Sequence, residues 1–274
     1  MQSMTAFAFE LSIRNMLGDN TNYSASVLGE TEGNTWNTQM IVDAINFAIR
    51  RYALITHATY VSATVASTQS HIMSADGFDN LSLPSDNLKL LRVAFPTQAA
   101  LYSVIYGSGA LLETTKSFEQ IRFPMWEEEV GVKPRKWMKN DSLTVRLIPA
   151  TPASLNFVIG YVQAPVNITT LAVVPASVLR VGQWYEIATV GSTDFTTVGA
   201  ANSDIGTQFK ATAVSATTGT AFEIIDPRIL PAHQEYLRYA ASAYLIGMSS
   251  DQQSIVMSAK YDAIFSQLLG ISVK

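Results

Sequence analysis

The apolar residues of this chain change period twice, from helical to alternating and back, and that order limits the folds open to it. Near the start, Phe9, Ile13, Met16 and Leu17 recur at helical spacing over Thr5 to Leu17. Gly18-Asp19-Asn20 stops the run, because Gly and Asn accept the left-handed conformation that ends helices. Asn20 to Thr35 is rich in Ser, Thr, Asn and Gly and reads as a loop or flexible arm. Thr35 then offers a cap for a helix over Trp36 to Thr56, with Ile41, Ala44, Ile45, Ala48, Tyr52 and Ile55 in one stripe. After Pro231, Leu237, Ala240, Ala241, Tyr244, Leu245 and Met248 share a face. Ser249-Ser250-Asp251 breaks that run and caps a fourth helix, in which Met257, Tyr261, Ile264, Phe265 and Leu268 align before Gly270. So short a turn predicts an antiparallel helical hairpin.

Between the second and third helices the period is two. Tyr60, Ser62, Thr64 and Ala66 alternate with Val61, Ala63 and Val65. Further strands are expected near Asn80–Leu83, Lys89–Phe95, Leu101–Tyr106, Ser142–Ile148 and Leu155–Val162. Pro84, Pro96, Pro149 and Pro165 stand at strand ends, where a missing donor does no harm. Ser117 to Phe123 reads as a short helix. The span Leu147 to Leu179 carries no charge, but Pro149, Pro152, Pro165 and Pro175 interrupt it. A membrane helix needs about 20 continuous apolar residues, so strands and turns are expected there.

From Leu171 to Ile225 Gly, Thr, Ser and Ala dominate, and strands are legible at Trp184–Val190, Gln208–Val214 and Thr220–Ile225. The expected fold is therefore α+β: a bundle of four main helices with a central antiparallel β-region and an inserted all-β module. The bundle and β-region take residues 1–171 and 226–274, with the module at 172–225 as an independent, outward-facing insertion.

Composition narrows the function. Charged residues make up 15% of the 274, against about 25% in ordinary soluble domains, which suits a surface hidden in partner contacts. The net charge of −4 argues against a sequence-reading nucleic-acid binder, which normally shows a basic face. It leaves room for a protein that encloses DNA without gripping it. With no cysteine, thiolate metal sites, disulfides and cysteine nucleophiles are excluded. His57, His71 and His233 lie far apart, so no metal site is expected. The N-terminus lacks the pattern of a signal peptide, so a soluble protein without membrane attachment is expected. The Asn-x-Ser/Thr triplets at Asn22, Asn80, Asn140 and Asn167 then carry no meaning as glycan acceptors.

No catalytic constellation and no cofactor site emerges. Tyr106-Gly107-Ser108-Gly109-Ala110 lacks the third glycine of a dinucleotide loop and reads as a hairpin turn. Glu127, Glu128 and Glu129 read as a solvated face; a glycosidase would need carboxyls roughly 5–9.5 Å apart across a cleft. Lys133, Arg135, Lys136 and Lys139 surround Trp137 and either touch phosphate or a partner's acidic rim, or balance the preceding glutamates. Arg50 and Arg51 either face a partner or end a solvated helix. In the module, Trp184, Tyr185 and Phe195 are candidate exposed aromatics.

Two regions together resemble a known family. The outer chain is similar to tailed-phage head-to-tail adaptor (connector) proteins. The likeness rests on Arg14-Asn15-Met16-Leu17-Gly18-Asp19, Trp36 with Asp43-Ala44-Ile45-Asn46-Phe47-Ala48, Ile159-Gly160-Tyr161-Val162-Gln163-Ala164-Pro165, and Ile229-Leu230-Pro231-Ala232-His233-Gln234. The insertion resembles small β (Ig-like) modules of phage structural proteins, through Val181-Gly182-Gln183-Trp184-Tyr185-Glu186-Ile187, Gly191-Ser192-Thr193-Asp194-Phe195, Gly206-Thr207-Gln208-Phe209-Lys210 and Gly219-Thr220-Ala221. The resemblance implies a non-enzymatic virion protein of the neck, made in the host cytoplasm. Its partners would be itself in a ring, usually dodecameric, the portal protein, tail or nozzle proteins, and DNA that passes without sequence-specific binding. The arm Asn20–Thr35 and residues 270–274 carry few stripe positions and are expected to order only on contact. The alternative is a carbohydrate- or receptor-binding particle protein stacking its ligand on Trp184, Tyr185 and Phe195.

Overall fold

The computed structural model describes residues 3–19, 36–69, 78–95, 110–122, 131, 134–151, 153–248 and 252–271. In chain order these form helices α1 (Ala6–Leu17) and α2 (Thr38–Thr56), then strands β1 (Tyr60–Gln69), β2 (Phe78–Ser82), β3 (Asn87–Ala94) and β4 (Leu112–Glu113). Helix α3 (Lys116–Arg122) precedes β5 (Lys136–Lys139), β6 (Thr144–Thr151), β7 (Asn156–Gln163) and β8 (Val173–Pro175). Strands β9 (Trp184–Thr189), β10 (Gln208–Lys210) and β11 (Thr220–Glu223) lead to α4 (Pro231–Gly247) and α5 (Gln252–Leu268). The chain divides into two compact units, residues 1–58 with 165–274, and residues 59–164.

The expected four-helix bundle does not form. The described residues are organised mainly around two sheets, of seven and four strands. The physical reason lies in what closes the helical core. Phe9 and Ile13 of α1, the α2 stripe and Leu237, Ala240, Ala241 and Leu245 of α4 are buried together with Ile168, Leu171, Ile225 and Ile229, none of them helical. From α5 that cluster takes one buried side chain, Phe265; Met257, Tyr261 and Ile264 are half-buried and Leu268 is exposed. Ile55 and Met248, counted in the stripes of α2 and α4, are exposed as well. A helix that buries one large residue is a lid on a core, not a quarter of a bundle.

The helix ends follow local chemistry. Thr5 Oγ1 accepts from Ala8 N at 3.1 Å to start α1, and Gly18 ends it at φ 71. Asn37, rather than Thr35, caps α2 by accepting from Met40 N at 2.8 Å; Thr35 lies outside the described residues, as do the arm, Leu101–Tyr106, the Tyr106–Gly109 turn, Ser249–Asp251 and residues 272–274. Arg14 Nη1 reaches both Asp19 Oδ2 (2.7 Å) and the Trp36 carbonyl (3.1 Å), while its Nε donates to Glu10 (2.9 Å). One guanidinium therefore pins the end of α1 to the approach of α2.

In the unit of residues 59–164 the strand order is β3-β7-β1-β2-β6-β5-β4. β1 and β7 pair antiparallel over seven residues, from Tyr60↔Val162 to Ala66↔Asn156. Val61, Ala63 and Val65 turn to the core with Leu81, Val93, Val145, Leu147, Phe157 and Ile159, and Tyr60, Ser62, Thr64 and Ala66 turn outward, the alternation of period two. The Tyr60 ring lies over Gly160, where a Cβ would meet its Oη at 2.3 Å, so glycine is required by that close approach. The sheet also closes. Ala110 bridges Ala94 of β3, Leu111 N donates to Val93 O (2.8 Å), and Leu112 N and Thr114 N donate to Arg135 O (3.1 Å) and Trp137 O (2.9 Å). Residues 110–114, which include β4, thus bond to β3 on one side and β5 on the other, and such closure covers edges that would otherwise template aggregation. β4 and β5 are parallel, an exception to the expected antiparallel region. Pro149 lies inside β6, not at its end. The β2–β6 register jumps from Asn80↔Arg146 to Phe78↔Thr151 across it, and a residue without N–H is tolerated in such a bulge.

The other sheet has the order β10-β9-β11-β8 and its own core of Tyr185, Ile187, Phe195, Val198, Phe209 and Ala221. Gly199 sits at φ 112, and a Cβ there would stand 2.5 Å from Lys210 O. At the root of this module the buried Glu223 carboxylate accepts from Thr169 N (2.7 Å), Thr169 Oγ1 (2.9 Å) and Arg180 Nη2 (2.8 Å). The Thr169 bonds tie the last strand of the module to the segment before it.

Candidate interaction surface

The helical layer presents the apolar surface that its own unit leaves uncovered. Along α5, the side toward α4 and α2 is engaged. Ser258 Oγ donates to Ala243 O (2.7 Å), Tyr261 lies 6.2 Å from Tyr239 between ring centroids, and Phe265 is fully buried. On the other side Ile255 and Val256 are 56% and 63% exposed, with Ala259, Lys260 and Ala263 exposed beside them. On α2, Phe47 is exposed at its edge while stacking on Tyr244 of α4 at 4.7 Å, and Leu54 is exposed one to two turns further on.

The structure separates the two α2 arginines. Arg50 is exposed, and its Nη2 donates to Asn167 Oδ1 at 3.3 Å. Arg51 donates to both carboxylate oxygens of Asp262 on α5, the longer bond at 3.0 Å, and lies over the Phe265 ring at 5.2 Å. Arg51 therefore fastens α5 to α2. Sequence spacing carried no signal of Asp262, because the pair spans 211 residues.

The basic stretch is likewise divided. Arg135 is exposed, whereas Trp137 is 4% exposed and belongs to the core of the seven-stranded sheet. Lys136 Nζ donates to Glu119 Oε1 at 2.6 Å and stands 5.7 Å from the Phe118 ring centroid. Burial alone would raise the Glu119 pKa, but hydrogen bonds from Lys136 and Thr114 and the charges of Lys136 and Arg122 hold it below the ordinary glutamate value. The balancing acid for Lys136 is thus Glu119 of α3. Lys133 and Glu127–Glu129 lie outside the described residues.

In the module, Tyr185 and Phe195 are fully buried and Trp184 is half-buried. Tyr185 Oη accepts from Arg180 N at 3.0 Å, and Phe195 packs edge-on to Phe209 at 5.6 Å. Tyr185 and Phe195 are core side chains, which corrects their reading as exposed aromatics.

The motif residues of the outer chain fasten distant segments to one another. Asn46 clamps the main chain of Ile168, donating to its O and accepting from its N, both at 2.8 Å. His233 Nδ1 lies 2.7 Å from Tyr52 Oη, and its ring stacks on Tyr236 at 5.2 Å. Among the described residues no group of three or more His, Asp and Glu could hold a metal ion, and no helix is long and apolar enough to cross a membrane. Compared with known proteins, the chain matches no family model, and no curated protein matches it.

Proposed function

We propose that this chain is a structural subunit of a phage neck, a head-to-tail adaptor that forms a ring with its own copies between portal and tail and lines part of the DNA conduit. The observation that carries the reading is the uncovered side of α5, where Ile255 and Val256 stand exposed although α5 is packed on its other side. Clustered exposed apolar side chains mark contact surfaces. A ring is the assembly in which a head-to-tail contact repeats without open-ended growth. The order of the adaptor-like motifs supports the choice of partner, and the low charge supports repeated burial. A conduit also gains nothing from phosphate contacts, which make DNA binding strong and salt-dependent. Burial of Tyr185 and Phe195 takes away two of the three aromatics on which the glycan-binding alternative rests.

The test is native mass spectrometry of the purified chain with and without portal protein. The adaptor reading expects a monomer or weak oligomer alone and a defined ring on the portal. Failure to bind portal, with a stable ring formed in its absence, contradicts it. Val256→Asp is expected to abolish ring formation while leaving the circular-dichroism spectrum unchanged.

A further inference from the structure

Residues Ser3 to Thr5 precede α1 and are read through their main chain from several sides. Gln208 in β10 accepts from Ser3 N at 3.1 Å and donates to Ser3 O at 2.7 Å, while its amide also donates to Glu186 Oε2 at 2.9 Å. Gln234, in the first turn of α4, accepts from Met4 N at 2.6 Å and donates to Ile229 O at 3.1 Å. Met4 O in turn accepts from Ile225 N at 3.1 Å, and Thr5 forms an antiparallel bridge with Ile224. All four backbone polar groups of Ser3 and Met4 are therefore taken. The Met4 side chain packs, part-buried, on the helical core.

We propose that Gln208, Gln234 and Ile225 form a slot for an extended peptide, recognised by its main chain and by one apolar side chain at the Met4 position, and that residues 3–5 are its ligand in cis. Strand addition is a general mode of peptide binding in which backbone bonds give affinity and a side-chain pocket gives selectivity. Here two side-chain amides replace much of the neighbouring strand, and an amide presents the same donor and acceptor as a peptide group. Gln234 is 1% exposed with residues 3–5 in place, so emptying the slot breaks a buried hydrogen bond and opens its acceptor to water, at a net cost. The slot is accordingly built to be filled. This inference does not depend on the adaptor reading.

The test uses a chain that begins at Thr5, with hydrogen exchange at the Ile225 amide as readout. Exchange there is expected to be at least tenfold faster than in the full chain. A synthetic peptide of residues 1–6, at millimolar concentration, is expected to slow it again. The same peptide methylated on the Met4 nitrogen keeps every side chain but loses the donor to Gln234, and is expected to have no effect. Unchanged exchange in the shortened chain, no rescue by the plain peptide, or equal rescue by the methylated one each overturns the proposal. Should the shortened chain not fold, full-length Gln234→Met serves. A tenfold rise at Ile225 with unchanged helix content supports the slot, and unchanged exchange overturns it.

Discussion

The two sheets solve one problem in different ways. The seven-stranded sheet removes its edges by closure, handing residues 110–114 from β3 on one side to β5 on the other. The four-stranded sheet stays open and keeps its edges short, three residues each in β10 and β8, with Pro175 ending β8. Short edges and proline are the other common protection against edge-to-edge pairing. The cores differ to match. The closed sheet sets Trp137, Phe157 and Tyr161 among Leu81, Leu83, Val93, Leu111, Val145, Leu147 and Ile159. The open one is organised around three aromatics, Tyr185, Phe195 and Phe209, with centroids 5.6–5.9 Å apart. Small residues, Ala176, Ala200, Ala211 and Ala221, fill the space around these rings.

The difference can be broken at its centre. Ile159 is fully buried in β7, between β3 and β1. Ile159→Asp should place an unpaired charge inside the closed sheet and cost about 4 kcal/mol or more. Urea denaturation followed by tryptophan emission measures it, and retention of wild-type stability would refute the core assignment. In the open sheet, Phe195→Ala should cost about 3–5 kcal/mol, the usual range for deleting a buried aromatic. A loss below about 1 kcal/mol would mean that the aromatic trio is not the organising core.

How these two sheets could be read from the sequence also differs. The module's β9, β10 and β11 begin at the residues where the glycine- and Asn-bounded alternation put them, because each is delimited by local turn chemistry. The β1 alternation was equally plain. β4 and β5 gave no such signal, since two and four residues are too few to show a period, and their pairing with distant partners decides them. The helices were legible as elements but not as a bundle. Periodicity reports that Met257, Tyr261, Ile264, Phe265 and Leu268 share a face of α5, and not how much of that face a neighbour covers. For the same reason Arg50 and Arg51 looked equivalent until Asp262 separated them, and Tyr185 could be read as surface until its core was in view.

Two finer changes sharpen the comparison. Gly199→Ala, in the open sheet's unit, meets both a left-handed backbone at φ 112 and a Cβ position 2.5 Å from Lys210 O. It should cost about 1–3 kcal/mol, seen as a lowered urea midpoint without a change in helix content. The smallest expected effect is on pH dependence in the closed sheet's unit. Glu119 is held below its ordinary pKa, so its contribution is fully present above the unfolded glutamate value near 4.3. That contribution is lost as pH falls through the lowered folded value. Glu119→Gln should therefore flatten part of the decline in thermal stability below about pH 4.3, and an unchanged slope there would contradict the Lys136–Glu119 pairing.

The division of the chain has a consequence for its synthesis. The closed sheet belongs to one uninterrupted stretch, residues 59–164, whereas the helical unit joins 1–58 to 165–274. A ribosome therefore releases everything the closed sheet needs before it has made α4. The Phe9, Ile13, Ile41 and Ile45 side chains emerge first and receive Leu237, Ala241 and Leu245 last. At about 5–20 residues per second, making the 110 residues from 165 to 274 takes roughly 5–20 s. For that interval the nascent chain carries a finished domain and an orphaned pair of amphipathic helices, which makes α1 and α2 its natural point of chaperone capture.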